Sequence, residues 1–274
     1  MLDIQKITEL DSLAALKQQY YNQSVSPLDG MWQFGFVPMA QHYAFVEAQQ
    51  QVGYCCINAE GYMLQFYLSP SAKTNANDLF TLIAQQNSAQ IGTVKGAFVS
   101  TAEPAFLSLC LDNCSAVCVN SLMYQQAGKA IANNDSNSIE LQLASAETLN
   151  TLVDFAVAAI NAPEQWLTDY YGNLISRKEL WYYQKDQQVL ATGECRRNDE
   201  FQTTTADLGF IVAKECRGQG IAREVLKFLV MQASKMGLLP ICSTESTNIA
   251  AQKAIANAGL VANHRILTVD FKQD

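Results

Sequence analysis

Residues 207–232 (DLGFIVAKECRGQGIAREVLKFLVMQ) constrain the fold more than any other stretch of the chain, because they join an apolar strand, a short loop and a long helix without interruption. The predicted helix, Ile221–Met236, is amphipathic and is followed by a glycine. Successive N–H groups at the start of a helix point at an anion, and Gly218 and Gly220 have no side chains to keep it away. Arg217 adds a permanent positive charge with several donors. This arrangement predicts a cradle for a pyrophosphate group.

Two other glycine loops do not fit this spacing. A dinucleotide fingerprint, G-x-G-x-x-G, would need glycine or alanine at position 223, where this chain has Arg223. The G-K-S or G-K-T of a P-loop is absent. On the loop alone, an ordinary surface turn that contains two glycines stays open as an alternative.

The elements predicted around this loop complete the second half of the chain. Alternation and helical spacing of apolar residues predict the order β-α-α-β-β-β-α-β-α-β. The strands are expected at 138–143, 180–184, 189–196, 204–212, 240–244 and 261–271, and the helices at 146–160, 164–175, 221–236 and 248–257. We therefore predict an α/β (α+β) fold, in which a mixed sheet has helices on its faces and binds a ligand at the strand-loop-helix unit.

A polar stretch around Asn134 separates two segments of nearly equal length and is typical of a linker. We place the boundary near Asn134, which gives domains 1–134 and 135–274. Sliding the first segment by 143 residues aligns its apolar positions with those of the second, for example Leu68 with Ile211. The sequence therefore predicts a divergent internal duplication, with two copies of one fold in tandem.

Charge and composition exclude several classes of protein. A hydrophobic fraction of 49% with 16% charged residues is typical of a folded globular chain. The net charge is −8 and all six arginines follow residue 134, so we expect no basic face for nucleic acid. No apolar stretch approaches the roughly 18 residues that cross a membrane, and no secretory signal is visible. We therefore expect a cytoplasmic protein with no membrane partner.

The eight cysteines are expected to be free thiols, because a chain without an export signal stays in a reducing compartment. Cys110, Cys114 and Cys118 lack the C-x2-C spacing of a zinc knuckle, and the two histidines, His42 and His264, lie far apart in sequence. We predict no metal site and cysteines that act as small buried hydrophobes.

The stretch V-A-K-E-C-R-G-Q-G-I-A resembles the acetyl-CoA loop of the GNAT (GCN5-related N-acetyltransferase) family, whose consensus is R/Q-x-x-G-x-G/A. Arg217, Gly220 and Ala222 fill its three defining places. The resemblance implies tandem GNAT-like mixed β-sheets flanked by helices, clearly in the second half and in outline in the first.

A second block, N-I-A-A-Q-K-A-I-A-N-A-G-L, starts about 30 residues further along and resembles the helix that follows the loop in the same family. Asn248, Ala251, Gly259 and Leu260 occupy the matching places. The two blocks together extend the likeness over residues 207–260.

The resemblance implies an acetyl-CoA site in the second half. In the family, the pantetheine arm pairs with the backbone of the strand before the loop, and the pyrophosphate lies against the loop. The implied cofactor-binding residues are Phe210, Ile211, Val212, Arg217, Gly218, Gln219, Gly220, Ile221, Ala222 and Asn248. Asn248 would turn its amide toward the arm, although capping of the following helix is an equally good interpretation of this side chain.

The resemblance also implies direct attack of an amine on the thioester. Many members use a strand carboxylate through water as general base, and the matching position is Asp207, with Glu194 on the neighbouring strand as the substitute. Either residue could instead be a solvated strand residue. Where many members have a tyrosine that protonates the leaving thiolate, this chain has Ile255, so residues 242–244 are the remaining candidate donors.

The first half departs from the family pattern at the loop. Thr74, Asn75 and Asn77 stand where the second half has an arginine and two glycines. Without a cation or a glycine, the phosphates lose both charge pairing and access to the backbone. We predict that the first half is a degenerate copy that does not bind coenzyme A.

These features together predict an acetyl-CoA-dependent N-acetyltransferase that acts on a primary amine of a small molecule. Acetyl-CoA is the co-substrate, no nucleic acid is expected as a partner, and a homodimer is left open. The alternative is a non-catalytic acyl-CoA-binding sensor or interaction module, which the isoleucine in place of the tyrosine favours.

Overall fold

The structure, a computed structural model, describes residues 2–126 and 139–272. The chain divides into two units: the first contains the residues up to Leu122 and those from His264 onward, and the second contains Met123–Asn263. None of the described helices is both long enough and apolar enough to cross a membrane. All eight cysteines are free; five are buried as expected, whereas Cys114 and Cys216 are half-buried and Cys118 is exposed.

The described residues before 127 follow the order β-α-α-β-β-β-α-β-α-β. The bounds are β1 (Leu2–Ile7), α1 (Ala14–Gln23), α2 (Val37–Met39), β2 (Gln41–Glu47), β3 (Gln50–Ile57), β4 (Tyr62–Leu68), α3 (Ala76–Ala84), β5 (Gly96–Ser100), α4 (Pro104–Asp112) and β6 (Cys114–Gln126). A π-helical turn, Trp32–Phe36, leads directly into α2.

The described residues from 139 onward repeat this order. The bounds are β7 (Gln142–Leu143), α5 (Leu149–Ile160), α6 (Glu164–Ser176), β8 (Leu180–Lys185), β9 (Gln188–Arg197), β10 (Thr205–Val212), α7 (Ile221–Lys235), β11 (Leu239–Glu245), α8 (Ile249–Asn257) and β12 (Leu260–Phe271). The predicted fold class and element order are confirmed. The first predicted strand is shorter than expected, because only its last two residues pair with β8.

Two strands contribute residues to both units. The unit boundaries fall after Leu122, inside β6, and after Asn263, inside β12. The predicted boundary near Asn134 and the polar stretch around it lie outside the described residues.

In the first unit the strands lie in the order β1-β2-β3-β4-β5-β12, and only β4 and β5 run parallel. Aromatic rings fill the core beside α3 and α4, since large planar side chains pack well on a pleated surface. The ring centroids of Phe66 and Phe80 are 5.0 Å apart, and those of Phe80 and Phe271 are 5.5 Å apart. The last strand of the chain therefore completes the core of the first unit.

In the second unit the order is β11-β10-β9-β8-β7, and only β10 and β11 run parallel. Pairing of β10 with β9 continues to Val212, whereas pairing with β11 ends where Asp207 meets Ile241. The two parallel strands therefore diverge beyond Asp207. One backbone edge of Phe210–Val212 is left without a ladder partner in β11, which is the kind of gap that a ligand can fill.

The two faces of this sheet carry different helices. On one face, a Cβ atom added to Gly193 would lie 2.8 Å from Val225 of α7, so the helix packs closely there. On the other face, α5 and α6 bury Leu152 and Tyr171 in a core against which Ile211 packs. Since side chains alternate along a strand, the neighbours of Gly193 in β9 turn toward α5 and α6.

The repeated element order supports the predicted duplication and corrects its register. At the starts of the parallel strands, the two halves of the chain align at an offset of 143 residues. Tyr62 pairs with Gly96 in the first half, and the residues 143 positions later, Thr205 and Leu239, pair in the second half. The pairing of β3 with β4 then shifts register between Cys56 and Ile57. Beyond this irregularity, residues of β4 align with β10 at an offset of 142, because β4 has one extra residue there. The extra residue moves every later side chain of β4 to the other face of the sheet. The alignment of Leu68 with Ile211 is therefore wrong, and these residues pack against opposite helical layers.

Candidate functional site

The loop between β10 and α7 has an open backbone. Gly218 and Gly220 have positive φ angles of 79° and 85°, which glycine adopts without strain. A Cβ atom built on either residue would meet no other atom within 4 Å. Gly220 is the N-cap of α7, and no side chain caps this helix end. The first N–H groups of α7 are therefore available to an outside anion, as the sequence predicts.

Arg217 fixes the loop to the strand end while remaining exposed. Its Nε donates to the carbonyl oxygen of Val212 and its Nη2 to that of Ala159, both at 3.3 Å. Gln219 donates across the loop to the carbonyl oxygen of Glu215. The positive charge thus stays beside the open glycines at the start of α7.

Asn248 caps α8. Its side-chain oxygen accepts a hydrogen bond of 3.1 Å from the backbone N–H of Ala251. The capping interpretation of this residue is therefore observed, and the amide nitrogen of the same side chain remains able to donate outward.

The two predicted catalytic carboxylates lie together on the face that α5 and α6 cover. Arg196 lies between them: its Nη2 is 2.6 Å from Asp207 Oδ2, and its Nη1 donates to Glu194 Oε2. Cross-strand pairing explains the cluster, since Asp207 stands opposite Arg196 and Glu194 opposite Gly209. A Cβ atom on Gly209 would lie 2.9 Å from both Arg196 Nη1 and Glu194 Oε2, so the glycine makes room for the ion pair.

Tyr170 of α6 completes this network. Its hydroxyl donates to Glu194 Oε2 at 2.7 Å and accepts from Arg196 Nη1 at 2.8 Å. Burial, with Glu194 close by, raises the pKa of Tyr170 well above its usual range, so the phenol stays protonated. Burial alone would lower the pKa of Arg196, but Asp207 and its other partners raise it above the ordinary value. The network therefore holds one fixed cation between two buried carboxylates.

The corresponding loop of the first unit is filled by the chain itself. The carboxylate of Glu47 accepts hydrogen bonds from the backbone N–H groups of Lys73 and Thr74 and from the Thr74 hydroxyl, at 2.6–2.9 Å. These hydrogen bonds lower the pKa of Glu47. Asn75 caps α3 by accepting from the N–H groups of Asn77 and Asp78. The donors that would face a phosphate are already paired.

Comparisons with known proteins agree with this geometry. A family model described as an acetyltransferase (GNAT) domain matches residues 9–127, and one described as the acetyltransferase (GNAT) family matches residues 147–259. A solved structure described as an acetyltransferase from the GNAT family from Colwellia psychrerythraea is 55% identical, with a TM-score of 0.94. The alignment covers 98% of this chain and 100% of that one. The chain belongs to the GNAT acetyltransferase family.

More distant structures share the fold. A GCN5-related N-acetyltransferase from Sphaerobacter thermophilus is 11% identical with a TM-score of 0.65, covering 100% of this chain and 96% of its own. A tandem GNAT protein from the clavulanic acid biosynthesis pathway is 11% identical with a TM-score of 0.66 and covers both chains fully. No curated protein matches the chain. Membership of the family supports acetyl transfer as the general activity.

The sequence did not predict a role for Arg196 or Tyr170 in this GNAT protein. A signal for Arg196 was present, because Glu194 and Arg196 lie two positions apart in a predicted strand and must share one face. Two charges on the buried face of a strand require partners. Tyr170 had no comparable signal, since its hydroxyl reaches Glu194 only through the packing of α6 on the sheet.

Ile255 is fully buried in α8, so the helix offers no acid at that position. Among the described residues, no group of histidine, cysteine, aspartate or glutamate side chains is arranged to hold a metal ion. A cleft of about 400 Å³ opens beside the loop, and Asp154, Phe155 and Lys214 are among the residues that line it. The cleft has the size of a small-ligand site.

Proposed function

We propose that the second unit binds acetyl-CoA at residues 217–222 and transfers the acetyl group to a primary amine of a small molecule. The observation that carries this proposal is the state of the two loops. The loop before α7 has open glycines and an uncapped helix start, whereas the loop before α3 is closed by Glu47 and Asn75.

Two kinds of group bind the two parts of the cofactor: positive charge at the pyrophosphate and strand backbone at the pantetheine arm. Arg217 and the first N–H groups of α7 face the pyrophosphate, because a cation and a helix N-terminus both stabilise negative charge. The free edge of Phe210–Val212 pairs with the amides of the pantetheine arm, since those backbone groups have no partner in β11. The side-chain nitrogen of Asn248 can donate to the same arm.

In the reaction, the amine nitrogen forms a bond to the acetyl carbonyl carbon, the carbon–sulfur bond breaks, and one proton leaves the nitrogen. The network favours Glu194 over Asp207 as the group that receives this proton. Asp207 is held at 2.6 Å by Arg196 and serves as its counter-charge. Glu194 has one oxygen bound in the network and a second oxygen without a hydrogen-bond partner in the described parts of the chain.

The leaving thiolate needs no acid from α8. A thiol with a pKa of about 8.5 is a fair leaving group, so the sulfur can depart as thiolate and take its proton from water. The buried Ile255, which cannot donate a proton, is compatible with departure of the thiolate without an acid. The same residue is also the observation that favours the second candidate, a sensor that binds acyl-CoA without transferring the acyl group.

The experiment that tests the proposal measures release of free coenzyme A thiol from acetyl-CoA in the presence of a panel of primary amines. We expect release that depends on an amine and is lost in Gly220→Glu. Binding of acetyl-CoA without release in any mixture would favour the sensor. Absence of binding would contradict both candidates.

A further inference from the structure

We propose that the acceptor is a primary amine with no carboxylate on the carbon that bears the nitrogen, and with an apolar body. This inference rests on the proposed function and specifies its substrate class. It follows from the charges of the network that joins Glu194, Arg196 and Asp207, and from the aromatic side chains of α6.

The buried charges around Glu194 do not balance. Glu194, Arg196 and Asp207 are each at most 7% exposed and together carry one positive and two negative charges. Such an arrangement favours a further cation beside it, because a carboxylate out of water needs a partner. A protonated amine supplies that charge until it gives up its proton.

Glu194 has an oxygen free to meet the ammonium group. Its Oε2 atom accepts from Tyr170 and Arg196, whereas Oε1 has no hydrogen-bond partner in the parts of the chain that the structure describes. The Glu194 side chain is 6% exposed, and Oε1 is the carboxylate oxygen that the network leaves for an outside group. This oxygen can therefore accept a hydrogen bond from an amine that enters from outside.

No cation of the network is free to hold a substrate carboxylate. The Nη atoms of Arg196 bind Glu194, Tyr170 and Asp207, and its Nε is enclosed without access to solvent. The other arginines of the second unit outside the loop pair with carboxylates at Glu179 and Glu224; they are Arg177, Arg197 and Arg223. A carboxylate beside the reacting nitrogen would thus meet Glu194 with no arginine of the network free to compensate it, and like charges in such a site repel strongly.

An aromatic surface leads from solvent to this network. Trp166 is 44% exposed and stacks on Tyr170, with ring centroids 4.9 Å apart and planes within 11°. The Tyr170 hydroxyl donates to Glu194, so the half-exposed indole lies one helical turn from the residue that binds the carboxylate. Aromatic rings bind apolar and cationic groups well. The body of the amine is therefore expected to lie on Trp166.

The test compares amines with amino acids that differ only by the carboxylate: phenethylamine with phenylalanine, tryptamine with tryptophan, and pentylamine with norleucine. Release of coenzyme A thiol gives kcat/KM for each, and calorimetry measures binding of acetyl-CoA in parallel. We expect each amine to exceed its amino acid by roughly 100-fold or more, since uncompensated like charges cost several kcal/mol.

Equal use of both members, preference for the amino acids, or no transfer to any of the six compounds while acetyl-CoA binds would overturn the proposed acceptor class and leave the cofactor site standing. Failure of acetyl-CoA to bind would overturn the proposed function and this inference with it.

Two variants separate charge selection from proton transfer. In Glu194→Gln the ratio of kcat/KM between phenethylamine and phenylalanine should fall at least tenfold, because repulsion of the carboxylate is relieved. A residue that only accepted the proton would lower both values alike and leave the ratio unchanged, which would contradict selection by charge. Trp166→Ala changes a half-exposed side chain and should lower kcat/KM for both phenethylamine and pentylamine, because the apolar body of each is expected to lie on the indole. Unchanged values for both amines would exclude the indole from binding.

Discussion

The two loops of this protein occupy equivalent places in a duplicated fold and differ in what fills them. In the first unit, Glu47 and Asn75 satisfy the N–H groups that precede and begin α3. In the second unit, Gly218 and Gly220 leave the corresponding groups open, with Arg217 beside them. The comparison teaches that a carboxylate of the chain can take the place of a phosphate, so the same fold can keep the loop without keeping the ligand.

The buried side chains on the equivalent faces of the two sheets also differ between the units. Tyr54 faces Tyr67 across β3 and β4 as Glu194 faces Gly209 across β9 and β10. In the first unit the Tyr54 hydroxyl donates to Gln65, which donates in turn to Tyr21, and the buried carboxylate nearby, Glu103, accepts from Tyr20. In the second unit the equivalent face holds an arginine between two carboxylates. Among these two arrangements, only the second pairs its buried carboxylates with an arginine.

The largest expected effect is loss of acetyl-CoA binding in Gly220→Glu, measured by calorimetry. A carboxylate there would repel and obstruct the pyrophosphate, as Glu47 fills the loop of the first unit. Gly237→Glu is the matched control, because Gly237 also has a positive φ and open space and lies at the other end of α7. Equal losses in both variants would point to strain in the helix rather than to the loop.

Next in size is the effect of Arg196→Met on the second unit. Removing the cation takes from the buried Glu194 and Asp207 the arginine that pairs with both, so the free energy of unfolding should fall by about 3–5 kcal/mol. Trp166 and Trp181 report the second unit when Trp32 is replaced by phenylalanine. Tyr54→Phe, read by Trp32 with the other two tryptophans replaced, removes one neutral hydrogen bond and should cost about 1 kcal/mol. Similar costs for the two variants would break the contrast between the interiors.

A buried carboxylate of the first unit, Glu103, gives the third prediction. Burial raises the pKa of Glu103 to about 7, while hydrogen bonds from Tyr20 and the Ser100 backbone oppose this shift. Because the folded pKa lies above the unfolded one, the stabilisation is complete below pH 4.5 and is lost as the pH rises through 7. The first unit should lose roughly 3 kcal/mol over this window.

Urea unfolding of the first unit at several pH values, followed by Trp32 fluorescence, measures that loss. Glu103→Gln should flatten the profile between pH 4.5 and 8. A wild-type profile that is already flat would show that Glu103 does not ionise over this range.

The smallest effect is expected for Glu47→Gln. The amide cannot accept as strongly from Lys73 and Thr74, so thermal unfolding of the first unit should shift down by roughly 2–4 °C at pH 7. The depressed pKa of Glu47 implies that the wild-type advantage exists above pH 4.5 and disappears as the pH falls below it. Acetyl-CoA affinity should not change. A weaker affinity would mean that the first loop takes part in binding.

The sequence predicted the structural features that depend on residues close together in the chain. The glycine loop, the helix start at Ile221 and the cap at Asn248 depend on neighbouring residues, and all three are observed. The roles of Asp207 and Glu194 in catalysis stay predictions, although the structure brings the two residues together.

The parts that the sequence did not predict depend on distant contacts. Glu47 lies 26 and 27 positions from the N–H groups that it accepts, and no spacing rule connects them. Arg196 became visible only when strand pairing placed it opposite Asp207. The register irregularity in β3 and β4 shifts the alignment of the two halves by one residue. The sequence did not reveal this shift, because the hydrophobic pattern of a buried strand tolerates an extra residue.

The stoichiometry of acetyl-CoA binding to the intact chain tests the central claim most directly. Calorimetric titration should give one site per chain, and that site should disappear in Gly220→Glu and persist in Glu47→Gln. A stoichiometry near two, or a single site that survives Gly220→Glu, would contradict the assignment of an open loop to the second unit and a closed loop to the first.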